Sequence, residues 1–296
     1  MTYADWLAYA SQFLFENLKS DPHFNARTDA VILLQFVTQK PMATLRAFDD
    51  TALTSDERAR LQAMLERRAQ GEPIAYILGE TGFWSLSLNV SPHTLIPRPD
   101  SEILVEQVLE LIKHHFSAPH FTRQRKISLL DLGTGTGAIA LAVAAELKKC
   151  GVEFRILGVD KLADVVGLAQ ANALRNQLPE VEFLQSDWFS RIVGRKFDFI
   201  VSNPPYIDAR DEHLARGDVR FEPLTALVAG EQGYADLRYI IEHAPRYLNP
   251  NGWLLLEHGW RQGEKVRKIF AENAWRQVVT VKDYGNNERV TLANRK

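Results

Sequence analysis

Asn203-Pro204-Pro205-Tyr206 is the stretch whose residue types and order point most directly to a chemistry. Two consecutive prolines fix φ and remove both backbone donors, which leaves nearby carbonyls to face a ligand. Asn203 offers an amide oxygen and Pro204 a backbone carbonyl, an acceptor for each hydrogen of a substrate NH2 group, and Tyr206 offers its ring to a flat substrate face. The nitrogen of a carboxamide or of an exocyclic base amine is a poor nucleophile, because its lone pair is delocalised. Two acceptors on its hydrogens draw it toward tetrahedral geometry and restore lone-pair density, an interaction that is strongest in the transition state. In-line alignment with an electrophilic carbon at roughly 3–3.5 Å supplies much of the remaining acceleration. An already activated donor such as a sulfonium methyl needs no metal, and proton loss from nitrogen comes late, so a strong base is optional. The motif alone does not separate a base amine from a glutamine, and a rigid turn after a strand is its bland alternative.

Upstream, Leu130-Asp131-Leu132 runs into Gly133-Thr134-Gly135-Thr136-Gly137. Glycines let a backbone pass close to a ligand and adopt positive φ. Gly133, Gly135 and Ala138 also satisfy the G-x-G-x-x-A form of a dinucleotide site, so the loop by itself is ambiguous. Asp160 closes an apolar run, Ile156-Leu157-Gly158-Val159, where a carboxylate can accept two hydrogen bonds from a ribose; it can also cap a following helix. In Ser186-Asp187-Trp188, an acid is available to an adenine amino group and an aromatic face to the base, with core packing the rival role for Trp188. Loop and Asp160 together specify an adenosine-containing cofactor. Asn-Pro-Pro-Tyr then favours S-adenosylmethionine as a methyl donor, since an NAD-dependent oxidoreductase leaves that motif unexplained.

Two regions of different rhythm carry these residues. Over residues 1–80 the apolar positions fall at helical spacing: Trp6, Leu7, Ala10, Phe13, Leu14 and Leu18, then Ala30, Ile32, Leu33, Leu34, Phe36 and Val37. A third helix starts at the capping box Thr54-Ser55-Asp56-Glu57 and ends at Gly71, with Pro73 beyond. This region holds 8 Lys and Arg against 11 Asp and Glu, a mildly acidic bundle suited to docking a protein rather than to gripping phosphates. Residues 81–100 read as a hairpin, Phe83 to Val90, followed by the linker Ile96-Pro97-Arg98-Pro99-Asp100. From 101 to 296 helices alternate with apolar strands: helices at 101–114, 138–149, 163–175, 235–248 and 263–273, strands at 127–132, 154–159, 181–184, 197–202, 253–257, 277–282 and 289–293. The predicted fold class is α/β, a doubly wound, mostly parallel seven-stranded sheet with an antiparallel strand at the end and a small N-terminal helical domain. Ligands in such sheets sit beyond the carboxyl ends of the strands, where each motif falls.

Composition excludes several functions. With 46% hydrophobic and 24% charged residues the chain is an ordinary globular one, and its net charge of −2 provides no field for sequence-blind nucleic-acid binding. Cys150 is the only cysteine, which leaves no intrachain disulfide or CxxC site and reads as a small buried hydrophobe. The eight histidines lack HxxxH or HxE spacing, so no metal site is expected. The N-terminal stretch has no basic n-region or uninterrupted apolar run and no run reaches membrane-spanning length, so no signal peptide and a cytoplasmic setting without membrane contact are expected.

The chain also resembles the bacterial protein-(glutamine N5) methyltransferases, in their release factor branch, over nearly its whole length. The resemblance is carried by Gly71-Glu72-Pro73-Ile74-Ala75-Tyr76, Phe83-Trp84-Ser85-Leu86, Ile96-Pro97-Arg98-Pro99-Asp100-Ser101-Glu102 and the Asp131 to Gly137 loop. It continues through Asn203 to Ile207, Arg220-Phe221-Glu222-Pro223-Leu224-Thr225-Ala226-Leu227 and Leu256-Glu257-His258-Gly259. It implies a class I S-adenosylmethionine-dependent fold, S-adenosyl-L-homocysteine as product, and methylation of the glutamine in the Gly-Gly-Gln loop of class I peptide chain release factors. It implies that Gly133, Thr134, Gly135, Thr136, Gly137, Asp160, Trp188 and Asn203 contact the cofactor, while Asn203, Pro204, Pro205 and Tyr206 hold the glutamine. The helical domain would then recognise the release factor. A sibling acting on a ribosomal-protein glutamine would share these cofactor residues, whereas a DNA or RNA base methyltransferase needs a basic face. Lys161 departs from the pattern, standing where an apolar residue flanks the adenine. The segment His114–Lys126, with three histidines, is longer than the pattern and reads as a solvated loop. Arg98 has two readings, a partner for the cofactor carboxylate or an anchor for the linker, and Glu222 two, pocket wall or structural loop.

Overall fold

The computed structural model of the chain describes residues 1–18, 24–116 and 126–295. The chain forms two compact units, one of Met1–Glu80 with Glu212–Phe221, the other of Thr81–Asp211 with Glu222–Lys296.

In the first unit α1 (Tyr3–Leu18), α2 (Ala26–Thr38) and α4 (Ser55–Ala69) bury the faces that their apolar spacing marks out. Trp6, Ala10 and Leu14 meet Ala30, Leu33, Leu34 and Val37 from α2 and Leu61 and Leu65 from α4. Two short helices were not expected from the sequence: α3 (Met42–Ala47) and α5 (Ile74–Leu78). Each is too brief to show a period, and each starts directly after a proline, Pro41 or Pro73. Arg68 is buried, its Nε donating to Asp29 Oδ2 at 2.7 Å and its Nη1 lying 3.2 Å from Asp218. Burial of a guanidinium is tolerable because both sides of its fork meet a carboxylate. The capping box is formed, with Glu57 N donating to Thr54 Oγ1 at 3.2 Å and Thr54 N donating to Glu57 Oε2 at 2.8 Å. Thr54→Ala is therefore expected to weaken the start of α4 by about 1 kcal/mol. The readout is amide hydrogen exchange over residues 55–58; unchanged protection would show that the box adds nothing.

The second unit opens with the hairpin β1 (Glu80–Phe83) and β2 (Leu86–Asn89), all of which but Glu80 belongs to it. Its main sheet comprises β3 (Ile127–Leu132), β4 (Phe154–Asp160), β5 (Glu182–Gln185), β6 (Phe197–Ser202), β7 (Leu248–Glu257), β8 (Arg276–Lys282) and β9 (Glu288–Asn294). The order is β5-β4-β3-β6-β7-β9-β8, with β3 to β7 parallel and β9 antiparallel to both neighbours. Parallel strands covered on both faces need apolar residues throughout, and all six residues of β6 are buried. Alternate residues feed two cores: Leu129, Ile156, Val201 and Leu255 pack with α6 (Glu102–Phe116), α7 (Ala138–Lys149) and α8 (Ala163–Arg175), while Leu130, Leu157, Ile200 and Leu254 pack with helices Ala235–His243 and Gly263–Glu272.

The helix expected over 235–248 is α-helical only to His243, where Pro245 turns the chain into a 3-10 segment, Ala244–Tyr247. β7 begins at Leu248, earlier than the apolar run suggested, because its pairing with β6 tolerates an irregularity between Phe197 and Phe199. Cys150 corrects an expectation: it is exposed, since it caps the last turn of α7 beyond that helix's final buried position, Leu147. Residues 117–125 of the segment taken as a solvated loop lie outside the described residues. Among the described residues no helix is long and apolar enough to cross a membrane.

Candidate active site

The strand order reverses between β3 and β6, so their carboxyl ends open a crevice from which connections leave in opposite directions. The two ends are level: Leu132 pairs with Ser202, and Ser202 Oγ donates to Leu132 O at 2.7 Å. The glycine loop leaves one end and Asn203-Pro204-Pro205-Tyr206 the other.

Gly133, Gly135 and Gly137 all take positive φ, and Gly137 starts α7. Asp131 pins this loop from beneath, its Oδ2 accepting from Thr134 Oγ1 at 2.7 Å and from Ala140 N at 3.3 Å. Complete burial pushes the Asp131 carboxyl up to about 7, and its Oδ1 has no hydrogen-bond partner. Asp160 ends β4 and ties the loop from the side, its Oδ2 accepting from Gly135 N at 3.1 Å and its Oδ1 from Leu162 N at 3.2 Å. Burial raises its pKa. Asp160 is not the N-cap of α8, a position taken by Leu162 without a side-chain bond.

Gly133, Thr134, Gly135, Thr136, Asp160, Trp188, Asn203 and Pro205 line one cavity of about 460 Å³. The remaining residues singled out by the sequence are positioned differently. Gly137 sets the start of α7, Pro204 is buried, and the Tyr206 hydroxyl donates to Glu257 Oε1 at 3.2 Å. Burial, followed by the nearby Glu257 charge, raises the Tyr206 pKa. Both roles weighed for Trp188 are compatible: it is half-buried against the core beneath the sheet and also faces the cavity beside Gly133. Lys161 is paired with Asp187 at 3.0 Å; both are exposed and line the cavity, where Leu162 and Val165 supply apolar wall. Asp236 shares that rim, its pKa raised by burial and by Asp187, with Lys161 opposing. Arg98 pairs with the fully buried Glu222 carboxylate, which ties the linker to the loop before helix Leu224–Leu227; Glu222 does not line the cavity of about 460 Å³.

Two residues of consequence escaped sequence reasoning. Ser101 Oγ accepts from Asn203 Nδ2 at 3.1 Å and donates to Glu257 Oε2 at 2.6 Å. Ser101 and Glu257 are buried, and desolvation pushes the Glu257 carboxyl up to about 7. A carboxylate closing the apolar run Leu254-Leu255-Leu256 repeats the pattern that drew attention to Asp160, and is the signal by which it was findable. Among the described residues no His, Cys, Asp or Glu cluster has the form of a metal site.

The sequence matches the PrmC N-terminal domain family over residues 5–79 and the methyltransferase small domain family over residues 111–218. It is 57% identical to the release factor glutamine methyltransferase of Pasteurella multocida, across 99% of both chains. It is 60% identical to that of Haemophilus influenzae, across 99% of this chain and 98% of the relative. A T. thermophilus 16S rRNA methyltransferase solved with AdoMet and guanosine shares the fold at a TM-score of 0.50 and 20% identity, covering 73% of this chain and 50% of that one. Identity at this level over the full length of the relatives, with both domain families in order, shows that the chain belongs to the release factor glutamine methyltransferase family.

Proposed function

We propose that this protein transfers a methyl group from S-adenosylmethionine to the side-chain amide nitrogen, N5, of the glutamine in the Gly-Gly-Gln motif of class I peptide chain release factors. The observation that carries the reading is the convergence of the glycine loop, Asp160 and Asn203 on one cavity at the switch point of the sheet. The residues present fit an adenosine cofactor. A vicinal diol needs an acceptor at its edge, which Asp160 provides, and a flat base needs apolar walls, which Leu162, Val165 and Trp188 provide.

When bound, S-adenosylmethionine supplies an electrophilic methyl on a sulfonium sulfur. The protein's own task is to make an amide nitrogen nucleophilic. Asn203 Nδ2 is engaged by Ser101, so Asn203 Oδ1 is the end of that amide available to a substrate N–H. Pro204 O is the second acceptor in this reading, and the pair draws the glutamine nitrogen out of conjugation as its bond to carbon forms. The nitrogen then sheds a proton, which needs no strong base. The positive φ of Gly133 and Gly135 lets the Gly133–Thr136 backbone pass close to the cofactor, and Pro205 and Tyr206 stiffen the turn behind Asn203. The helical residues 1–80 form the recognition domain for the release factor, their acidic excess favouring a protein partner over nucleic acid. The reaction belongs in the cytoplasm, where its substrate is made.

The decisive test supplies methyl-labelled S-adenosylmethionine with a class I release factor, ribosomal proteins or DNA in parallel, and locates label by mass spectrometry. One methyl on the Gly-Gly-Gln glutamine is expected. Label on a ribosomal protein or on DNA alone would overturn the assignment.

A further inference from the structure

A terminal amide has a donor end and an acceptor end, and the proposed reaction needs the acceptor end of Asn203 turned to the substrate. Which way round it lies is decided by its other neighbour. That neighbour is Ser101 Oγ, 3.1 Å from Asn203 Nδ2, and Ser101 Oγ is in turn 2.6 Å from Glu257 Oε2. When Glu257 is ionised its carboxylate can only accept, so the single Ser101 hydrogen then points to Glu257. The lone pairs of Ser101 then face Asn203, which must answer with its NH2 group. Tyr206 completes the chain from the other side, its hydroxyl donating to Glu257 Oε1 at 3.2 Å.

We propose that Glu257 is a positioning residue for methyl transfer, setting through Ser101 the orientation in which Asn203 presents its carbonyl oxygen to the substrate nitrogen. This deepens the reading of the site given above and rests on it. The arrangement is costly to maintain, which argues for a use. Glu257 is 1% exposed and Ser101 4%, and a carboxylate in such a place resists ionisation. Of the groups facing Glu257, Ser101, Arg289 and Tyr206 favour its charged form, and Asp100 opposes it. Arg289 is itself held by Asp283 at 2.9 Å and Asp100 at 3.1 Å. Burial lowers the pKa of the adjacent His258, whose Nδ1 lies 3.0 Å from Gly259 O and whose Nε2 lies 2.8 Å from Thr291 Oγ1.

The polarity of the chain makes the proposal testable. Protonated Glu257 becomes a donor toward Ser101 or Tyr206. Once Ser101 accepts from it, the serine hydrogen is released toward Asn203 and favours the reversed amide, whose NH2 repels a substrate N–H. Burial pushes the carboxyl up to about 7, so the competent orientation gains population as pH rises through that value and loses it as pH falls.

The experiment follows kcat for release factor methylation from about pH 5.5 to 9, where buffer titration brackets the Glu257 carboxyl. In the unaltered protein kcat falls as pH drops through about 7. Glu257→Gln keeps an acceptor for Ser101 but cannot titrate; it loses this acid limb, and at high pH kcat is lower by about tenfold, with KM for the cofactor little changed. Ser101→Ala severs the link and also removes the limb. A second readout needs no turnover: the side-chain 15NH2 resonances of Asn203 in cofactor-free protein shift with pH near the same midpoint, and become insensitive in Glu257→Gln. If the unaltered protein methylates no release factor at any pH, the functional reading fails and the resonances alone judge the positioning role. If it is active but both variants keep the acid limb, or if the Asn203 resonances ignore pH, the positioning role is overturned.

Discussion

Asn203→Ala is expected to lower the single-turnover rate of glutamine methylation by about 10²–10³-fold, the usual effect of deleting one transition-state hydrogen-bonding group. Its cofactor affinity should largely survive, because Gly133 to Thr136, Asp160 and Trp188 line the same cavity independently of it. The loss is expected in kcat, since the acceptor matters most when the nitrogen is becoming tetrahedral. Asn203→Asp should fare no better: it retains acceptors but deletes the NH2 that engages Ser101 and adds a carboxylate near Glu257. Calorimetric binding of S-adenosylmethionine beside the single-turnover rate separates the possibilities. Equal losses in both would make Asn203 mainly a cofactor ligand and remove it from the chemistry.

Gly233→Ala should be nearly as damaging although Gly233 touches no proposed ligand. A Cβ built there would lie 2.2 Å from Tyr206 O and 2.8 Å from Tyr206 C, and its φ of +87° is strained for any L side chain. The overlap is with backbone, which no rotamer change can relieve. Tyr206 is held on both sides, its N donating to Leu227 O at 3.2 Å and its O accepting from Gln262 Nε2 at 3.0 Å. The added methyl must therefore push the end of the Asn203–Tyr206 turn. A misplacement of roughly 1 Å lowers turnover by about 10²-fold, and the strain costs about 1–3 kcal/mol of stability. Gly230→Ala is the control, since a Cβ there meets only Ala235 Cβ at 3.5 Å. Near-normal turnover in Gly233→Ala would show that the turn is not held where this contact implies.

The parts legible in the sequence were those whose cause is local. Helices Ala138–Lys149 and Ala163–Arg175 and strand Phe197–Ser202 have the bounds their apolar patterns set, because a buried helix face or a doubly covered strand leaves its period in the chain. The Asn-Pro-Pro-Tyr turn, the glycine loop and Asp160 were readable because each is a contiguous run at the end of a strand. Met42–Ala47 was too short to read, and Pro245 shortened a helix that hydrophobicity alone would have continued. The link from Asn203 through Ser101 to Glu257 was unreadable for a different reason. Its hydrogen bonds join residues 102 and 156 positions apart, and only the sheet topology brings them together. Lys161 looked like a departure at the adenine wall; its charge is engaged by Asp187, and Leu162, one position on, provides apolar surface.

The helical unit includes Glu212–Phe221, and its buried Arg68 draws one of its carboxylates, Asp218, from that segment. On the ribosome this imposes a delay. Residues 1–80 emerge first, yet the strand of chain that completes them follows some 140 residues later, roughly 7–28 s at ordinary elongation speeds. Through that interval Asp218 is missing, and Arg68 is left to Asp29 and to the Glu72 carbonyl, which its Nη1 also meets at 2.9 Å. The bundle's last piece arrives only after the strand leading into Asn203 has been made. The helical unit therefore becomes whole at about the moment when the Asn203–Tyr206 turn first exists, and an early nascent chain would be expected to show α1 and α2 protected well before the C-terminal end of α4.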